Sequence, residues 1–145
     1  MEADLNQLVS EVIDRLDGRP QVELTEEFQP LPPIRVDSEQ IRSVVANLVL
    51  NAREALGPSG RINLRTEHLG GSVVFSVSDN GCGMSSEFLK DSLFRPFQST
   101  KKKGLGIGMF QSRMIVEAHG GSIRVESEMG KGSTFRVSLP VRDVA

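Results

Sequence analysis

The sequence predicts an α+β domain, a two-layer α/β sandwich whose mixed, mostly antiparallel sheet of about five strands is covered on one face by three helices. Apolar residues recur at spacings of three and four in long stretches such as Asp4 to Leu16 and Asp37 to Leu56. Other stretches alternate apolar and polar residues, as strands with one wet face do. Two pairs of these alternating stretches are joined by short glycine-bearing turns, which makes them hairpins.

From Asp4 to Leu16, Leu5, Leu8, Val9, Val12, Ile13 and Leu16 form the stripe of an amphipathic helix, stopped by Gly18 and Pro20. A strand over Gln21 to Glu27 alternates Val22 and Leu24 with polar neighbours. Pro30, Pro32 and Pro33 then punctuate a loop, and a short extended piece covers Ile34 to Val36. Asp37 or Ser38 is a good N-cap for a long helix running to about Leu56, before Gly57-Pro58. Its core stripe is Ile41, Val44, Val45, Leu48, Ala52 and Ala55. Arg61 to Thr66 and Ser72 to Ser78 form a hairpin about Gly70-Gly71 and end at Asp79. A short helical piece over Glu87 to Leu93 leads into a polar, basic loop from Gln98 to Lys103. The next helix, Met109 to Ala118, carries Met114, Ile115 and Ala118 in its apolar set and ends at Gly120-Gly121. Ser122 to Ser127 and Ser133 to Pro140 make the second hairpin.

With 145 residues the chain, 1–145, is one domain, large enough for a two-layer core. A net charge of −2 supplies no global basic field, so nucleic acid is not an expected partner. The single cysteine, Cys82, excludes an internal disulfide, and two histidines with one cysteine make a structural zinc site improbable. A reducing, cytoplasmic setting fits. The most apolar run, Val44 to Leu50, is too short to span a bilayer and is broken by Asn47, so this fragment needs no membrane contact.

Three features carry chemistry. Asp79-Asn80-Gly81-Cys82-Gly83-Met84 follows the apolar run Val73 to Val77. A carboxylate there can accept hydrogen bonds from an amino group, and the glycines let backbone approach a flat ligand. A plain turn closed by an Asx-type hydrogen bond has the same composition. Asn47 and Asn51 lie one turn apart on an otherwise apolar helix, where their amides must be satisfied by something polar. An amide oxygen suits Mg²⁺, and Asn51 is the candidate ligand. Finally, Gly104-Leu105-Gly106-Ile107-Gly108 opens a helix, where bare N–H groups and the helix dipole stabilise polyphosphate. Lys101, Lys102 and Lys103 can add cationic contacts, or be merely solvated. The pattern lacks the Gly-Lys-Ser/Thr end of a P-loop and is not Gly-x-Gly-x-x-Gly, so P-loop, Rossmann and eukaryotic-type kinase readings fail.

In this order the motifs resemble the ATP-binding domains shared by gyrase, Hsp90, histidine kinases and MutL, and most closely those of sensor histidine kinases. Asp37 with Asn47-Leu48-Val49-Leu50-Asn51-Ala52 looks like their N box, and Asp79 to Met84 like the G1 box. Leu93-Phe94-Arg95-Pro96-Phe97 looks like the F box, and Gly104 to Gly108 like the G2 box. The resemblance implies the Bergerat-type fold, with Asp79 on the adenine amino group and Mg²⁺ on Asn51. Gly81, Gly83, Gly106 and Gly108 would line the pocket. Met84, Phe97, Lys101, Lys102, Gly104, Leu105 and Ile107 lie in the same boxes and the lid, and join Asn47 as nucleotide contacts.

The activity implied is protein-histidine kinase: Mg·ATP is bound and its γ-phosphate passes to a histidine on a separate dimerisation domain, upstream and absent here. A response regulator then takes part in two-component signalling, and the full-length protein can be membrane-anchored. Neither His68 nor His119 lies in the His-Glu/Asp context of an acceptor. Asn47 stands where ATP-hydrolysing relatives carry a glutamate, so the residues assigned to catalysis are Asn47 and Asn51 and hydrolysis is expected to be slow. Glu54 stands where many sensor kinases have a basic residue, and Asn-Ala-Arg-Glu-Ala-Leu is similar to the nitrogen-regulation subtype. Two other readings keep the fold: an ATP-driven clamp, and a nucleotide-dependent interaction module without catalysis. A serine kinase of the anti-sigma type lies between them.

Overall fold

A computed structural model of the chain describes residues 2–15, 23–56, 60–81, 83 and 107–141. Its elements run β1 (Glu2–Ala3), α1 (Leu5–Arg15), β2 (Glu23–Phe28), β3 (Ile34–Arg35), α2 (Ser38–Ala55), β4 (Arg61–Leu69), β5 (Ser72–Asp79), α3 (Ile107–Ala118), β6 (Ser122–Glu128) and β7 (Gly132–Pro140). The expected piece over Glu87 to Leu93 and the basic loop from Gln98 to Lys103 lie outside the described residues.

Five strands form one sheet in the order β2-β4-β5-β7-β6. Only β2 and β4 pair in parallel, joined through α2; β4–β5, β5–β7 and β6–β7 are antiparallel. β3 does not join this sheet. It pairs with β1, a two-residue strand that no periodicity could announce.

The alternation of the strands divides the sheet into a buried and a wet face. On the buried face Leu64, Val77, Phe135 and Val125 lie in register across β4, β5, β7 and β6, and the next row is Thr66, Phe75, Val137 and Ile123. Helices α1, α2 and α3 join these rows in one hydrophobic cluster that includes Leu8, Val9, Leu48, Val49 and Val116. The opposite face carries exposed ion pairs such as Arg65–Glu27 and Arg136–Glu126. Thr66 is fully buried, yet its hydroxyl donates to Asn6 and accepts from the Gln29 N–H, so α1 is tied to β4 without an unsatisfied polar group.

Helix α2 starts as its sequence indicates. Asp37 is the N-cap, and its carboxylate accepts from the Gln40 N–H at 3.2 Å. Its buried set is Ile41, Val44, Val45, Leu48, Val49 and Ala52, with Ala55 only half-buried. The expected apolar face of α3 needs correction. Met114 and Ala118 are exposed, and the residues turned inward are Met109, Ser112 and Val116. A serine at the centre of the inward stripe hides that stripe from a periodicity argument. Helix α3 also begins two residues earlier than Met109, at Ile107.

Candidate nucleotide site

The apolar rows of the sheet end in a polar one. Ile62, Asp79, Ser133 and Ser127 lie in register at the end of β4, β5, β7 and β6. Asp79, the last residue of β5, is 8% exposed, so its carboxylate depends on fixed donors rather than bulk water. Oδ1 accepts from the Gly81 N–H at 2.9 Å, the Asx-type bond that its composition allowed. Asn80 closes the edge beside it, accepting from the Arg61 N–H at 2.7 Å. The Ser133 hydroxyl lies 2.7 Å from that of Ser127, which donates to the Gly132 carbonyl at 3.1 Å. A cavity of 280 Å³ opens beside Asp79, bordered by Ser127, Lys131, Gly132 and Ser133. Its lining takes in none of Asn47, Asn51 and Gly108.

Those residues are ordered by α2. Gly81 packs so closely on the last turn of this helix that a Cβ would run into the Ala55 carbonyl. One turn earlier stands Asn51, half-buried, and one turn before that Asn47 faces α3. The Asn47 amide nitrogen lies 3.2 Å from the Ser112 hydroxyl and 3.5 Å from the Gly108 carbonyl. The eight steps from Asn47 to Ala55 span about 12 Å of helix at 1.5 Å per residue. Along that length α2 meets the first turn of α3 at Asn47 and the Asp79 turn at Ala55, with Asn51 between them.

The N-terminus of α3 is directed to the Asn47 end. Its first N–H groups have no partner within the helix and add partial positive charge there. The antiparallel arrangement of α2 and α3 is secured at the other end by His119. Its Nδ1 lies 2.7 Å from the Ile115 carbonyl and its Nε2 accepts from the Asp37 N–H at 3.1 Å. The carbonyl contact was foreseeable from a histidine at a helix end; the bond to Asp37 was not.

The structure thus brings Asn47, Asn51, Asp79, Gly81 and Gly108 along one helix. Gly83 lies beyond the turn with φ +72, packed where a Cβ would strike the Glu128 carbonyl. Ile107 contributes the first backbone unit of α3. Met84, Phe97, Lys101, Lys102, Gly104, Leu105 and Gly106 lie outside the described residues. Two neighbours escaped the sequence reading. Ser133 follows Gly-Lys-Gly in a hairpin turn and Ser112 sits mid-helix, and neither carries a signal of its own.

The donors suit Mg²⁺. This ion takes a few hard oxygen ligands and keeps several waters while bridging to phosphates. Asn51 carries an amide oxygen, and the NH₂ of Asn47 faces the Ser112 hydroxyl and the Gly108 carbonyl. Among the described residues no group of three or more His, Cys, Asp or Glu could cage a metal alone.

A profile of the family described as histidine kinase-, DNA gyrase B-, and HSP90-like ATPase matches residues 36–143. The chain is 43% identical over 111 residues to the sensor histidine kinase ZraS of Escherichia coli (strain K12), covering 77% of this chain and 24% of ZraS. The chain therefore spans about a quarter of that relative's length. The nucleotide-free catalytic domain of histidine kinase ThkA superposes with a TM-score of 0.82 at 32% identity, over 97% of this chain and 94% of that one. Full-length ShkA, solved with AMPPNP, gives 0.84 at 27% identity, over all of this chain (100%) and 32% of its own.

Proposed function

We propose a function on one premise: this chain belongs to the histidine kinase-, DNA gyrase B-, and HSP90-like ATPase family, within its histidine kinase branch. It binds Mg·ATP and presents the γ-phosphate to a histidine carried by a separate dimerisation domain, as one step of a two-component relay that continues to a response regulator. The observation that carries this reading is the order of groups along α2: a helix N-terminus at Asn47, an amide oxygen at Asn51, and a buried carboxylate beside Ala55. Each group suits a different part of one extended ligand.

Asp79 accepts hydrogen bonds from the amino group of the base. Gly81 and Gly83 keep side chains off the face against which the base lies. Asn51, with Asn47, would hold Mg²⁺, which would supply charge neutralisation for the phosphates. The first turn of α3, with Gly106 and Gly108, cradles the phosphates, and Lys101 and Lys102 add positive charge. Catalysis consists of positioning and charge neutralisation, because the nucleophile comes from another domain. Asn47 cannot take a proton from water, since an amide is not a general base at neutral pH, and this disfavours a hydrolytic clamp. The Asn-Ala-Arg-Glu-Ala-Leu run fits the nitrogen-regulation subtype. No helix among the described residues is long and apolar enough to cross a membrane. A cytoplasmic position next to the acceptor domain agrees with this reading.

Calorimetric titration of Mg·ATP into the 145-residue chain tests the proposal. Asp79→Asn exchanges a charged acceptor for an amide and is expected to weaken binding roughly tenfold or more, the size of a charge-assisted hydrogen bond. Asn51→Ala should remove the Mg²⁺-dependent part of the affinity. Binding indifferent to both substitutions would sink the reading. Transfer of label from γ-phosphate to an added dimerisation domain separates the kinase from a nucleotide-controlled interaction module.

A further inference from the structure

Ser112 is wholly buried at the centre of the inward stripe of α3, where Met109 and Val116 are its apolar companions. A hydroxyl there needs a partner, because an unpaired buried polar group costs far more than a methyl of similar size. Its partner is Asn47, whose Nδ2 lies 3.2 Å away. The second acceptor facing the same NH₂ is the Gly108 carbonyl, at 3.5 Å.

An amide side chain has one donor end and one acceptor end, so the Gly108 carbonyl, which can only accept, selects one of its two flipped orientations, whereas the Ser112 hydroxyl can pair with either end. The NH₂ faces α3 and Oδ1 cannot. The Gly108 contact, at the limit of hydrogen-bonding distance, sets the sense of the amide, and the shorter bond to Ser112 holds the side chain against α3. We propose that Ser112 is a positioning residue, which holds the Asn47 side chain against α3 in the orientation set by the Gly108 carbonyl, so that its oxygen is presented to the metal and phosphates. A flipped amide would turn N–H donors toward a cation. The inference rests on the nucleotide reading of the site and specifies which buried hydroxyl makes Asn47 a usable ligand.

The test is a double-mutant cycle read as dissociation constants for Mg·ATP and, separately, for adenosine. Ser112→Ala removes only the hydroxyl, at a site that already holds a small side chain. It is expected to weaken Mg·ATP about fivefold, the loss of one ordinary hydrogen bond. Adenosine, which lacks phosphate and metal, should bind Ser112→Ala as it binds the natural chain. In an Asn47→Ala background the Ser112→Ala effect on Mg·ATP should vanish, because the group it orients is gone. A general loosening of α3 predicts the opposite pattern, with equal losses for both ligands that persist without Asn47. Equal losses, additivity, or no effect of Ser112→Ala on Mg·ATP would each overturn the inference while leaving the nucleotide reading intact. If the natural chain binds neither ligand, both fall, and that result is recognised before any variant is made. Melting curves of all four proteins accompany the titrations, so that a poorly folded variant is scored against the proposal.

Discussion

Two glycines of the site occupy opposite situations, and each makes a prediction at the scale of a single residue. A methyl group at Gly81 would collide with the Ala55 backbone carbonyl and come within 2.9 Å of the Asp79 carboxylate. Backbone cannot yield cheaply, so Gly81→Ala should cost about 1–3 kcal/mol in a urea melt and weaken nucleotide binding with it. At Gly108 the nearest atoms to an added Cβ belong to the Asn47 amide, 3.5 Å or more away, which is ordinary contact. Alanine is also the better helix former, so Gly108→Ala should be neutral or stabilising by up to about 1 kcal/mol in the same melt. The sequence alone ranks these glycines together, since both belong to glycine-rich runs beside a candidate pocket. Their difference is a matter of what α2 places opposite each one, and that contact spans distant parts of the chain. Asp79 stands out in the sequence because it ends an apolar run and opens a glycine-bearing turn, and the Asx-type bond that this composition allows is present. Ser112 does not stand out, because a buried serine differs from an exposed one only through its partner on another helix.

At the scale of elements, α2 and α3 are bolted at both ends, by Asn47 near the site and by His119 far from it. The two histidine nitrogens have separate partners, and this permits a clean dissection. Glutamine can place an oxygen near Nε2 and keep the interhelical bond to the Asp37 N–H. Asparagine can place its NH₂ near Nδ1 and keep only the bond to the Ile115 carbonyl. If the interhelical bond matters, His119→Asn should cost about 1 kcal/mol in chemical denaturation and His119→Gln distinctly less. The reverse order would show that His119 merely caps its own helix. Element boundaries followed the local signals wherever those signals were local: the Asp37 cap, the glycine-bearing hairpin turns and the alternation of β4, β6 and β7. The failures have a common origin in tertiary contact. The pairing of β1 with β3, and the inward face of α3, depend on residues far away in sequence.

For the whole molecule, the proposed site lies along the seam between α2, α3 and the polar end of the sheet, so a ligand bound there would touch elements that must separate on unfolding. A ligand that binds only the folded chain stabilises it by RT ln(1 + [L]/Kd), about 2.7 kcal/mol at a hundredfold excess over Kd. For a domain near this size each kcal/mol raises Tm by roughly 2–4 °C, so saturating Mg·ATP should lift the melting temperature by about 5–11 °C. The shift should grow with the logarithm of nucleotide concentration and require Mg²⁺ for its full size. Asp79→Asn should reduce the shift at a fixed nucleotide concentration while leaving the ligand-free melting temperature within a few degrees, since the Asp79 carboxylate sits at the rim of the core rather than inside its apolar rows. A variant that lost the shift together with the ligand-free fold would mean that Asp79 serves the sheet end rather than the ligand. The comparison of these two melts separates stability from recognition at the residue where the two roles meet.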